Sequence, residues 1–369
     1  MKIDTTLLAP KLKDVAAYSQ AAESLGFHGI WTAETQSDPF LPLTLAVEHT
    51  WWANIGTAIA VAFPRSPATL AYLAWDLQRY SDGRFILGLG PQVKAHNVLR
   101  FGVKWEKPVK KMRETIEAIH AFWHTWQTGE PFRYAGEFFN LALMTPFFNP
   151  GPLDVPPPAI YIAAMNKLML RLAGSHCEGV HIHALHSVKY LEEIAMPELA
   201  VGWRRGEKRR EDFTLATAVF VVPADDPHYA AYAEQYVRQQ ISFYLSTPAY
   251  RLIAELHGWE EQARCLSLAA RDREWEEMPG MVSDEMLDTL AVFGTWAELP
   301  LKIRAKYGDL IDRVSYYLPY VPGENEEGWQ ATIAGFSSKP VAGHRNRQVK
   351  QSVGEMDIVD QETKELSDL

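Results

Sequence analysis

The first third of this chain alternates short apolar segments with amphipathic ones, and that alternation limits the fold more than any other feature. Lys2–Leu8 reads as a strand and Leu12–Leu25 as a helix, with Gly26 as its C-cap because glycine takes the left-handed conformation at little cost. Gly29–Thr32 is a second strand and Phe40–His49 a second helix. Asn54–Ala62 is a third strand, followed by helix Pro67–Tyr80, whose proline sits where no amide donor is missed. Arg84–Leu89 and the long helix Val109–Thr128 continue the pattern. Short, nearly continuous apolar strands separated by helices predict a parallel sheet covered on both faces.

The rhythm then breaks. Pro131–Pro158, rich in aromatics, proline and glycine, is too long for an ordinary connection and reads as an insertion with a hairpin near Phe132–Leu143. Strand Ile160–Ala163, helix Lys167–Leu172 and strand Gly179–His183 resume it. Helix Val188–Arg204, strand Phe213–Val222 and helix Tyr229–Leu245 follow. A second, helical insertion is expected over residues 248–293, then a helix near Leu299–Tyr307 and a last strand Arg313–Tyr317. Eight candidate strands favour closure into a (β/α)8 TIM barrel over an open sheet, as a single domain over 1–335. Residues 336–369 lose hydrophobic periodicity and read as a polar, flexible tail.

A net charge of −10 argues against general nucleic-acid binding, and the one basic cluster, Arg204–Arg210, reads as a solvated loop. No apolar run reaches the roughly 18–20 residues that span a bilayer, and the first residues lack a signal-peptide pattern. With only Cys177 and Cys265, no disulfide framework or Cys-x-x-Cys site is expected, and a cytoplasmic location is.

In a barrel of this kind the site lies where the strands end. Strand two runs into Glu34 and Thr35, strand three into Ala62–Pro67, and strand four into Gly88–Asn97. In that last segment, glycines allow close backbone approach, and Lys94 with Arg100 supplies positive charge suited to an anionic cofactor. It is not a Gly-x-Gly-x-x-Gly fingerprint, because Val93 fills the last place and the segment follows the fourth strand. Strand five leads to Ala163–Asn166 and strand six to His181, His183 and His186.

Several runs carry a family likeness in order: Ala22–Phe27 with Trp31–Glu34, Gly56–Pro67, Leu77–Gly90, Ile160–Ala164 and Arg171–Gly174. Together they resemble the luciferase-like monooxygenase superfamily, and most of all its oxidoreductases that use the deazaflavin coenzyme F420, with FMN-dependent members next. The resemblance implies a cofactor ring across a bulge in strand three, at a non-proline cis bond that falls on Ala58–Ile59. It implies phosphate contacts from Ala164, Met165 and Asn166, where a helix N-terminus offers amide donors. It places Gly90, Gln92 and Lys94 beside the ring or the tail. It also implies a small-molecule substrate and a homodimer.

The chain departs from that pattern where Thr35 follows Glu34, and where Val93 stands at a position that is glutamate in sugar-phosphate dehydrogenase relatives. That acid–base pair is therefore not transferred. Glu34 and His96 are the candidates for proton movement, set against a capping carboxylate and a surface histidine respectively. Thr35 and His183 are candidate substrate contacts. The three histidines after strand six lack a companion carboxylate or cysteine, so no metal site is expected. No Gly-x-Ser-x-Gly elbow supports hydrolase chemistry. The readings left open are an F420-dependent hydride-transfer enzyme, an FMN-dependent monooxygenase, and a non-catalytic cofactor-binding barrel.

Overall fold

The computed structural model describes residues 1–8 and 11–337. Its strands, in chain order, are β1 (Lys2–Thr6), β2 (Gly29–Thr32), β3 (Asn54–Thr57), β4 (Ala60–Val61), β5 (Phe85–Gly90), β6 (Tyr134–Ala135), β7 (Asn140–Leu141), β8 (Ala159–Ala163), β9 (Gly179–Ile182), β10 (Thr214–Pro223), β11 (Ala291–Gly294) and β12 (Arg313–Tyr316). β1, β2, β3, β5, β8, β9, β10 and β12 pair in parallel in that order, and β12 pairs back to β1, so the barrel closes. β4 continues the third strand against β5. β11 lies outside the circle, paired with the end of β10 from Phe220 to Pro223.

The barrel interior is filled rather than open. Asp4 and Arg313 form a two-pronged ion pair at 2.7 and 2.8 Å, with both side chains buried. The Trp31 indole donates to Asp4 at 3.1 Å, and Arg313 also donates to Asn54 at 2.9 Å. Each charge is thereby paired and its other lone pairs and protons largely used, the condition under which a buried pair is tolerated. Above this layer Trp31, Tyr161 and His181 pack together, ring centroids 5.2–6.4 Å apart. Gly56 makes room for the indole, since a Cβ there would fall 2.6 Å from it.

Three elements differ from the sequence-based expectation. The second insertion begins earlier than 248. Helix Pro227–Leu245 follows the outer end of β10, yet Tyr244 in its last turn still packs on His183 and Tyr317, just past the outer ends of β9 and β12. It therefore caps the barrel mouth instead of running down the outside. β11 stands inside the span expected to be helical and irregular. A final helix, Glu326–Phe336, was not anticipated; it packs Trp329 on Phe27 and Tyr316. Phe336 is buried in that helix and is not part of a tail. The remainder of the expected tail, residues 338–369, lies outside the described residues.

The first insertion does form a hairpin, Tyr134–Ala135 against Asn140–Leu141. Its backbone amides at Glu137 and Phe138 donate to Glu114 on helix Pro108–Thr128. The chain then descends along helix Pro67–Tyr80, where Tyr72 reaches the Phe148 carbonyl and Trp75 that of Gly151. This insertion therefore packs on the outer helices Pro67–Tyr80 and Pro108–Thr128.

Candidate active site at the mouth of the barrel

The third strand is interrupted between β3 and β4 by a cis peptide, Ala58–Ile59. The interruption is fastened on both sides. Ala58 N donates to the Thr32 carbonyl at 2.7 Å, Glu34 N to the Ile59 carbonyl at 3.1 Å, and Ala62 N to the Gly90 carbonyl at 3.0 Å. The Thr57 hydroxyl donates to the Gly88 carbonyl at 2.6 Å and accepts from Gly88 N at 2.9 Å. A Cβ on Gly88 would stand 1.7 Å from the Thr57 carbonyl oxygen, so only glycine fits. At Gly90 a Cβ would stand 2.6 Å from the tip of Ile59 and 3.4 Å from Ala163, so the Ile59 side chain lies directly over the glycine. Ala58 and Ile59 remain partly exposed. The result is a shallow seat of small and aliphatic groups at the ends of adjacent strands.

Glu34 serves this seat as a tie. One carboxylate oxygen accepts from Val61 N at 2.7 Å and from the Arg65 guanidinium at 2.6 Å. Arg65 also donates to the Val61 carbonyl and, at 2.8 Å, to Asp38. The Glu34 side chain is only 6% exposed. Sequence reasoning placed Glu34 correctly at the mouth but missed Arg65, which stood in a loop with nothing to mark its partner. Thr35 is exposed, and its carbonyl accepts from Arg100 at 2.7 Å, joining the loops after β2 and β5.

After β5, Gln92 adopts a left-handed backbone (φ 57°) and its side chain accepts from Val93 N. Lys94 and His96 are exposed, and neither makes a side-chain hydrogen bond or ion pair among the described residues. The loop after β8 holds Ala164 buried, with its N–H on the His181 carbonyl. The Met165 carbonyl accepts from Tyr190 at 2.6 Å, and exposed Asn166 precedes helix Lys167–His176. The loops carrying Lys94 and residues 164–166 follow adjacent, paired strands.

The other arc of the mouth is aromatic. The His183 ring stands 4.2 Å from Tyr244, 4.6 Å from Tyr250 and 6.4 Å from Tyr317. Burial drives the His183 pKa down to about 3, with His186 nearby adding to it. Burial likewise lowers His181 to about 4, so all these rings are neutral at ordinary pH. Among the described residues the buried Nε2 of His181 has no well-formed hydrogen bond, although the Thr57 carbonyl faces the ring, and it lies 3.0 Å from where a Gly88 Cβ would be. The tyrosines escaped sequence reasoning because they come from separate segments and only the cap brings them together.

Among the described residues no cluster of three or more His, Cys, Asp or Glu is placed to hold a metal. No described helix is long and apolar enough to cross a membrane. A surface groove of about 660 Å³ runs between helices Phe40–Glu48 and Pro67–Tyr80, with Asp38 at one end.

Comparison with known proteins agrees with this architecture. The family description "Luciferase-like monooxygenase" matches residues 2–313. An uncharacterised protein of Mycobacterium tuberculosis is 39% identical over 91% of this chain and 98% of its own length. The 5,10-methylenetetrahydromethanopterin reductase of Methanolobus tindarius is 30% identical over 82% of this chain and 88% of its own. Among solved structures, the coenzyme F420 dependent tetrahydromethanopterin reductase of Methanopyrus kandleri superposes with a TM-score of 0.72 at 21% identity, over 90% of this chain and 97% of that one. The chain belongs to the luciferase-like monooxygenase family of enzymes.

Proposed function

We propose that this protein is an F420-dependent oxidoreductase that exchanges a hydride with a small organic substrate. The observation that carries the reading is the seat formed by Ala58, Ile59 and Gly90, where a side chain at Gly90 would displace Ile59. A flat ring fits such a surface, and the reductase from Methanolobus tindarius supports a reductive rather than an oxygen-using role. Gln92 follows Gly90 by two residues and would flank the ring. Lys94 and the segment Ala164, Met165 and Asn166, opening a helix, suit the anionic tail. When bound, the deazaflavin supplies two-electron hydride chemistry, and the protein supplies orientation and exclusion of water.

In this reading Glu34 holds the seat in place through Val61 and Arg65. The buried Nε2 of the neutral His181 ring lies close to Gly88, the residue two before Gly90 of the seat.

The reading is tested by presenting purified protein with reduced F420 and with reduced FMN in air-saturated buffer. The expectation is stable F420 binding without oxygen consumption above the free-cofactor rate. Oxygen uptake that requires protein and reduced FMN would replace it with the monooxygenase reading.

A further inference from the structure

We propose that His183, Tyr244, Tyr250 and Tyr317 form the substrate subsite, and that it takes an uncharged molecule presenting a carbonyl or hydroxyl oxygen on an apolar body. The inference rests on the reading of the barrel as an F420-dependent oxidoreductase and goes on to name its substrate class.

Four separate segments meet here. His183 follows β9, Tyr317 follows β12, Tyr244 ends the capping helix, and Tyr250 belongs to the short turn Pro248–Tyr250. Phe220 backs Tyr317, with ring centroids 5.0 Å apart. The four side chains retain partial exposure, unlike the fully buried core around them. They therefore form an open wall at the mouth, on the arc opposite the Ala58–Gly90 seat.

The polar tips of this wall are uncharged, and their protons can be assigned. His183 Nδ1 accepts from Leu185 N at 3.1 Å, so the proton of the neutral ring is on Nε2. That Nε2 has no hydrogen-bond partner among the described residues. The hydroxyls of Tyr244 and Tyr317 bond to each other at 2.5 Å. One hydrogen serves that bond, leaving one hydroxyl hydrogen and several lone pairs to offer. The wall thus presents three neutral donors, the His183 Nε2–H, one hydrogen of the Tyr244–Tyr317 pair and the Tyr250 hydroxyl, of which two suffice for the two lone pairs of one carbonyl oxygen; the tyrosine lone pairs accept from a hydroxyl.

Among the described residues, no charged side chain is bonded to this surface. The titratable groups facing it are Tyr236 on the capping helix and His186 behind His183, both neutral. Among the described residues, no Asp, Glu, Lys or Arg side chain bonds to any of the four. A carboxylate or ammonium brought here would lose water without gaining a counter-charge.

The test uses four probes on one scaffold: acetophenone, 1-phenylethanol, benzoate and benzylammonium. Each is measured by saturation-transfer NMR against the full chain, with and without F420, whose own binding is recorded separately by tryptophan quenching. The expected result is binding of the two neutral probes and not of the two ions. His183→Phe and, separately, the double variant Tyr244→Phe/Tyr317→Phe should each weaken acetophenone about five- to tenfold, the loss of one hydrogen bond. F420 affinity should be unchanged in both variants. Benzoate or benzylammonium binding as well as acetophenone would overturn the proposal. So would failure of acetophenone to bind, or affinities unchanged in both variants. Failure of F420 to bind while the neutral probes bind would instead remove the cofactor assignment and leave the subsite standing.

Discussion

The Glu34 carboxylate and the Arg65 guanidinium are 2.6 Å apart, and both are bonded to the backbone of Val61, two residues beyond Ile59. Their pairing fixes the edge of the Ala58–Gly90 seat. Glu34→Gln keeps the shape but leaves the largely buried guanidinium with less compensation. The expected cost is about 1–3 kcal/mol, read as a lower urea midpoint. Because Glu34 acts as a tie, the pH profile of kcat should keep its position. A displaced profile with unchanged stability would give Glu34 a proton-transfer role instead.

Two glycines of β5 should respond differently to substitution. Gly88→Ala sets a Cβ 1.7 Å from a backbone oxygen that cannot move alone, so loss of folded yield is expected. Gly90→Ala meets the movable tip of Ile59, so the protein should fold while F420 binding weakens by about tenfold or more, roughly 1.4 kcal/mol. Circular dichroism and cofactor titration of the two variants separate these outcomes.

Deep in the barrel, Asp4→Asn would leave Arg313 charged, buried and without its partner. Breaking such a pair costs about 3–5 kcal/mol. Chemical unfolding of the variant should show that loss without a change in which cofactor it prefers.

Acid should destabilise the fold through its buried histidines. Burial holds His181 and His186 to about 4 and His183 to about 3, whereas an unfolded histidine titrates near 6.5. From pH 6.5 down to about 4 the unfolded chain therefore binds protons that the folded chain does not. Stability is complete above that window and falls within it. Urea midpoints should drop from pH 7.5 to pH 5, and His186→Gln should flatten the slope. A midpoint that rises on acidification would contradict these assignments.

Much of the barrel was legible because strands covered on both faces are apolar throughout, and helices between them carry a regular stripe. The likeness over Gly56–Pro67 and Leu77–Gly90 led to Ala58–Ile59 and Gly90, since local backbone features reside in local sequence. Other features were hidden for physical reasons. Helix Pro227–Leu245 buries one face whether it lies outside a barrel or over its mouth, so its pattern did not disclose its place. β11 is four residues long and follows a helix without a turn. Asp4 finds Arg313 across 309 positions, and Tyr244 finds Tyr317 across 73; no spacing rule announces either pair.

The most direct test of the account is equilibrium binding of F420 and FMN, side by side, to the purified full chain by tryptophan quenching, with Gly90→Ala as the control. The account predicts F420 binding at least about tenfold tighter than FMN, and its loss in the variant. Preferential binding of FMN, or F420 binding that Gly90→Ala leaves untouched, would contradict it.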